Sequence, residues 1–229
     1  MTRTYWAAVT AVVLALLFAA GAVTVAAGDG NDGGDGDGGS SAARTPGEDS
    51  ADTGFARDMS VHHQQAVEMS FIVRDRTKDE EVRRLAYDIA NTQANQRGMM
   101  LGWLDLWGLP KVSSDEPMAW MAASSSSSGH GGHGSHGAHE VRDGSLMPGM
   151  ATRTELAKLR EADGKQAEIL FLQLMTAHHK GGVTMAQGCA DQCEVTTERS
   201  LAQGMVDAQE SEMTLMADML KARGAAPRP

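Results

Sequence analysis

The chain has 229 residues, 41% hydrophobic and 22% charged, with 20 Lys and Arg against 30 Asp and Glu. A net charge of −10 argues against the clustered basic surface that nucleic-acid binding needs, so no nucleic-acid partner is expected. Two Cys exclude a disulfide-dense mini-fold and a four-thiolate zinc site, and the unusual counts are 15 Met and 8 His against 4 Trp, 2 Tyr and 4 Phe.

Residues 1–27 read as an address. Arg3 precedes an almost uninterrupted apolar run from Trp6 to Ala27. At about 1.5 Å per residue the run would span roughly 33 Å, enough for a bilayer core. It reads equally as a signal peptide, with Val12–Ala20 as its apolar centre and Val25-Ala26-Ala27 as the cleavage site. Cleavage gives a secreted protein. Retention gives a membrane anchor with the basic end inside. Either way the body is expected to be extracytoplasmic. No Cys follows the run, which argues against a lipoprotein.

Residues 28–53 are mostly Gly, Asp and Ser. Through Asp52 they hold seven acids (Asp29, Asp32, Asp35, Asp37, Glu48, Asp49, Asp52) and one base, Arg44, and so account for −6 of the net charge. Such a segment buries too little to offset its ordering entropy, so a disordered acidic tether is expected. The remainder, 54–224, predicts a helical domain: hairpin 1 over 54–110, a His/Ser/Gly-rich linker over 112–146, and hairpin 2 over 150–224.

In hairpin 1, Phe55, Met59, His62, Ala66 and Met69 recur at spacings of three and four, and with His63 they fill one helix face. A second helix places Leu85, Ile89, Thr92, Gln96, Met99 and Trp103 on a stripe and stops at Gly108-Leu109-Pro110. In the linker, His130, His133, His136 and His139 recur every third residue in a Gly/Ser context, a composition that binds metal. Met118-x2-Met121 and Met147-x2-Met150 flank it. Thr152-x-x-Glu155 is a capping box for a lead-in helix that breaks at Asp163-Gly164. The last helix has the stripe Leu201, Met205, Ala208, Glu212, Leu215 and Met219.

The two hairpins are copies. Phe55-x3-Met59-x2-His62-His63-x5-Met69 returns as Phe171-x3-Met175-x2-His178-His179-x5-Met185, offset by 116 at every position. The same offset maps Leu85-Ala86, Gln93, Met100 and Leu104 onto Leu201-Ala202, Gln209, Met216 and Leu220. Two hairpins with apolar stripes pack most simply as an all-α four-helix bundle.

A plain bundle would fill these stripes with Leu, Ile and Ala, but here Met and His occupy them. A single Met is commonly a gap-filler, and a lone His a hydrogen-bonded core residue. Two matched Met-x2-His-His-x5-Met motifs carry more weight, because burying an unpartnered imidazole costs on the order of 1–3 kcal/mol. The candidate metal ligands are Met59, His62, His63, Met69, Met175, His178, His179 and Met185. Adjacent His residues point about 100° apart, so a pair need not share an ion. Met59 with His63, and Met175 with His179, are i,i+4 neighbours that can. Gln96 and Glu212 would orient imidazoles from the second helices, or else form a polar layer that fixes register.

Imidazole with thioether suits copper, Cu(I) above all, and the linker tract suits Cu(II) or Zn. A di-iron site needs Glu three residues before a His, and residues 59, 60, 175 and 176 are Met, Ser, Met and Thr. Cys189 and Cys193 replace Val73 and Thr77 of the first copy. Outside the cytoplasm a disulfide is expected, with a thiolate copper site as the alternative.

The doubled Phe-x3-Met-x2-His-His-x5-Met motif, each followed by a Leu-Ala…Gln…Met…Leu helix, resembles the bacterial family catalogued as domain of unknown function 305. The Trp103-Leu104…Trp107-Gly108 ending and Met147-Pro148-Gly149-Met150 also resemble it. The resemblance covers about 54–224. It implies a ferritin-like four-helix bundle, usually exported, with copper-binding periplasmic members, and by position it points to the same eight Met and His residues. The long His-rich insert and the Cys pair depart from the pattern.

Copper sequestration or trafficking is therefore the expected function, with the metal ion as partner. The alternative is an envelope interaction bundle in which Met and His only pack. No catalytic constellation is present in the sequence, so an enzyme is not expected.

Overall fold

The computed structural model describes residues 45–123 and 143–228. The Trp6–Ala27 run, most of the acidic tether and the tract His130, His133, His136 and His139 lie outside the described residues. Among the described residues no helix is long and apolar enough to cross a membrane.

The described chain is helical throughout: α1 (Ala51–Arg76), α2 (Glu80–Trp107), α3 (Ala119–Ala123), α4 (Arg153–Glu161), α5 (Gly164–Gln192) and α6 (Thr196–Ala222). Local chemistry sets the boundaries. The Ser50 side chain accepts the Thr53 N–H and starts α1 before residue 54, burying Asp52 and Thr53, which the sequence places in the tether. Asp79 caps α2 by accepting from Val82 N, and Gly108 at φ 68° ends it in the left-handed conformation. The capping box at Thr152 and Glu155 starts α4, with both reciprocal bonds made. The linker is also less featureless at its ends than its composition suggests. Trp120 of α3 is buried, and its Nε1 donates to Asp58 Oδ2 at 2.9 Å.

α1 packs against α2 and α5 against α6, and the two hairpins meet through α1 and α5. Phe55 and Met59 share a core cluster with Met185 and Cys189, whereas Met69 and Val73 share the other with Phe171 and Met175. α1 and α5 are thus antiparallel, and the duplication is laid out about an approximate twofold axis between them. The all-α bundle expected from the stripes is the observed architecture.

The second helices of each hairpin are rotated from the expected stripe. Met99 and Leu215 are 47% and 49% exposed, Ala208 is exposed, and Thr92 and Trp103 are only half-buried. In their place Val82, Ala86, Gln93, Met100 and Leu104 face the core, matched by Glu198, Ala202, Gln209, Met216 and Leu220. Both stripes share Leu85 and Ile89 and have the same helical period. Which one is inside depends on the neighbour that a helix meets, and α2 meets mainly α1.

The ends of the hairpins differ. At the α1–α2 turn, Glu168 accepts from Thr77 Oγ1 (2.6 Å) and Arg223 Nε (2.7 Å), and Arg223 also pairs with Asp79 (3.1 Å). At the α5–α6 turn, Cys189 and Cys193 form a disulfide, and Asp52 accepts the N–H groups of Val195 (2.7 Å) and Glu194 (3.1 Å). Glu198 lies beside Asp52. Burial, reinforced by that carboxylate, pushes its acid up to about 9, so it holds a proton at neutral pH.

Candidate metal centre

His62, His63, His178 and His179 meet where α1 crosses α5, and each is at most 1% exposed. The His62 and His178 rings lie one over the other with centroids 3.7 Å apart and planes tilted by 32°, on the approximate twofold axis. His63 and His179 point outward from this stack, each toward the second helix of its own hairpin. There the His63 Nε2–H donates to Gln96 Oε1 at 2.8 Å and the His179 Nε2–H to Glu212 Oε2 at 2.6 Å. Both are contacts of 33 residues' separation, repeated in each copy. The inner rings use the backbone. His178 Nε2 donates to His62 O at 3.0 Å and His62 Nε2 to Pro148 O at 3.4 Å.

In every case the Nε2 partner is an acceptor, so the proton sits on Nε2 and the lone pair on Nδ1. Nδ1 of His62, His63 and His179 is buried without a hydrogen-bond partner. An orphaned buried acceptor is costly, and each of these three Nδ1 atoms keeps a lone pair that a metal ion could take. Burial above all drives the ring pKa down. His62 falls to about 3, helped by its neighbour His63 and opposed by the Pro148 bond. His63 falls to about 4, opposed by Gln96, and His178 also lies well below the usual range. These imidazoles are neutral at physiological pH and have no proton to shed on ligation.

The four rings do not form one cage. Among the described residues no three imidazole nitrogens lie mutually within 4.8 Å. The methionines divide accordingly. Met59 and Met185 lie in one core cluster with Met100, Met147 and Met205, and Met69 and Met175 in the other with Met216 and Met219. All four motif methionines are fully buried. Met59 is one helical turn from His63, and Met175 one turn from His179, so each outer His has a thioether on its own helix. Met69 and Met185 follow the first His of their pairs by seven residues, about two turns or roughly 10 Å along the axis.

The sequence reading missed two features. Gln93 and Gln209 are buried at matched positions with their Oε1 atoms unpaired, and a Cβ on Gly182 would come within 2.4 Å of Gln209 Oε1. Their equality under the 116-residue offset was the available signal. The second feature is the Met147–Ala151 segment, which crosses the α1–α5 groove. Gln65 donates to Ala151 O (2.9 Å) and accepts from Ala151 N (2.6 Å). Gly181 lies so close that a Cβ there would be 1.9 Å from Pro148 O. Met147 is consequently buried in the Met59 cluster, whereas Met118, Met121 and Met150 pack at its margin.

The family profile described as a Domain of unknown function (DUF305) matches residues 52–220, a span that includes the whole His layer. The chain belongs to this family. A DUF305 protein from Streptomyces coelicolor, inferred to be secreted, has a crystal structure with 62% sequence identity and a TM-score of 0.69, covering 80% of this chain and 99% of that one. A DUF305 fragment from Deinococcus radiodurans is 28% identical with a TM-score of 0.57, covering 75% and 96%. CopM in its Cu(I)-bound form shares the fold at 19% identity and a TM-score of 0.52, again covering 75% and 96%. Comparison with curated proteins gives no match.

Proposed function

We propose that this DUF305 chain is an extracytoplasmic protein that binds copper and holds it or passes it on. The observation that carries the reading is the set of buried imidazoles whose Nδ1 lone pairs have no partner, lying beside fully buried thioethers. That donor set suits Cu(I) better than a hard cation. Two further facts support it. The structural neighbour CopM has been solved in Cu(I)-bound, Cu(II)-bound and Ag-bound forms, and the 62% identical relative is inferred to be secreted.

In this reading His63 with Met59, and His179 with Met175, form two half-sites on opposite sides of the His62–His178 stack. Gln96 and Glu212 fix the tautomer by accepting the Nε2 proton. Glu212 brings to the second half-site a negative charge that Gln96 does not bring to the first, so the second half-site takes a cation more tightly.

The test is uptake of Cu(I) or Ag(I) by the purified full chain under reducing conditions, in competition with a chelator. The variant His63→Ala/His179→Ala should lose most of the uptake. No uptake by the wild-type chain sinks the proposal. A double variant that loses stability while metal binding is unchanged would leave a packing role for these side chains in an interaction bundle.

A further inference from the structure

The approximate twofold axis makes one end of the bundle a control for the other. Glu168 at the α1–α2 end corresponds, through the offset of 116, to Asp52 at the α5–α6 end. At the α1–α2 end both acids have a basic partner, since Arg223 ion-pairs with Glu168 and with Asp79. At the α5–α6 end the residue matching Arg223 is Trp107, and the one matching Val82 is Glu198. The base has been lost, and the half-buried acid Asp79, matched by Val195, gives way to the fully buried acid Glu198. Asp52 is 2% exposed and Glu198 is 0% exposed, and neither ion-pairs with a basic side chain among the described residues. The nearby Arg199 donates to Cys193 O and toward Thr196, not to the acids. Both Glu198 oxygens lack a hydrogen-bond donor. The third change is Thr77 to Cys193, whose sulfur lies with the two carboxylates in a group of ligand atoms all within 4.8 Å of one another.

We infer that Asp52, Glu198 and Cys193 form a second metal site, for a borderline divalent cation such as Zn(II), which is closed by the Cys189–Cys193 disulfide and opened by its reduction. Each Asp52 oxygen keeps a lone pair beyond the backbone N–H that it accepts, and Glu198 has both oxygens to give. A disulfide sulfur is a poor ligand, whereas a thiolate supplies the charge and softness that complete an S/O set for zinc. The reductant is a dithiol. It gives two electrons to the S–S bond, its two protons go to the sulfurs of Cys189 and Cys193, and it leaves as its own disulfide. The cation then displaces the proton on Cys193 and the one on Glu198.

Co(II) is the probe, added anaerobically to the full chain before and after reduction with a phosphine. A thiolate-to-cobalt charge-transfer band in the near ultraviolet reports sulfur ligation and is silent at the His layer. The band is expected only after reduction, saturating at a single equivalent and displaced by Zn(II). Glu198→Val installs the residue found at the equivalent position 82, so it should keep the helical content and both titratable thiols. It should weaken Co(II) binding by roughly tenfold or more. Glu198→Gln provides a second, near-isosteric check. The absence of a band after reduction overturns the inference, as does loss of helicity on reduction or equal Co(II) affinity in both Glu198 variants. The band should persist in His63→Ala/His179→Ala, so failure at this site and failure of the copper reading are separable.

Discussion

Replacing Gly181 by Ala tests whether the Met147–Ala151 segment braces the His layer. The added Cβ would lie 1.9 Å from Pro148 O and 2.6 Å from Pro148 C, where ordinary contact begins at 3.4 Å, so a gap of about 1.5 Å must open. The segment cannot swing away freely, because Ala151 is held through both its N–H and its C=O by Gln65. The His62 Nε2–Pro148 O bond is already long at 3.4 Å and would break, leaving a buried N–H unpaired. Overpacking costs about 1–3 kcal/mol and the orphaned donor about 1–3 more, against a gain of about 1 for Ala over Gly in a helix. The net is a loss of about 1–5 kcal/mol, read as a fall in melting temperature on the order of 10 °C for a domain of this size. Gly98→Ala in α2 is the control, since nothing lies within 4 Å of its Cβ and the position is exposed. It should gain about 0.5–1 kcal/mol. Gly181→Ala as stable as wild type, or Gly98→Ala losing as much, refutes the bracing argument.

Three further outcomes follow from the same geometry. The pKa values of His62 and His63 are depressed in the fold, so their contribution to stability is present above the unfolded value near 6.5 and is lost as pH falls toward 4 and 3. The urea midpoint of metal-free Glu198→Gln, a background without the acid raised to about 9 whose stabilisation is otherwise lost as pH rises from 7 through 9, should be flat above about pH 7, with His178, His179, Gln96 and Glu212 also facing the layer. It should fall between roughly pH 6.5 and 5, above the carboxylate range, and a flat midpoint there would contradict neutral burial. Glu212→Gln turns the second half-site into a copy of the first and should weaken metal binding there by about 10–100-fold. Equal affinity in a chelator competition would remove the carboxylate from the account. Deleting residues 124–140 should lower Cu(II) or Zn(II) stoichiometry while leaving the circular dichroism of the bundle unchanged. Unchanged stoichiometry would show that the His tract is a spacer.

Much of the candidate site was legible because helix geometry is local. Phe55, Met59, His62, Ala66 and Met69 share a face through a spacing that any α-helix imposes, and the repeat at 116 required the second copy to do likewise. The pairing of Gln96 with His63, and of Glu212 with His179, was within reach for the same reason: matched residues in matched hairpins meet once each hairpin closes. Capping was equally local, since Thr152 and Glu155 satisfy each other's backbone whatever surrounds them.

The sequence alone therefore determined the helices, the duplication and which donor types a buried layer would hold. Only tertiary packing decided that α1 and α5, rather than α2 and α6, form the central seam, because two overlapping stripes on the second helices have the same period and only a neighbour can choose between them. It also decided that His62 stacks on His178 while their partners turn outward, and that the end of the linker fills the groove against Gly181. The meeting of Asp52 with Cys193 and Glu198, more than 140 residues apart in the chain, depends on the same packing. No periodicity encodes it. It arises because antiparallel packing of α1 on α5 lays the start of one copy against the turn of the other.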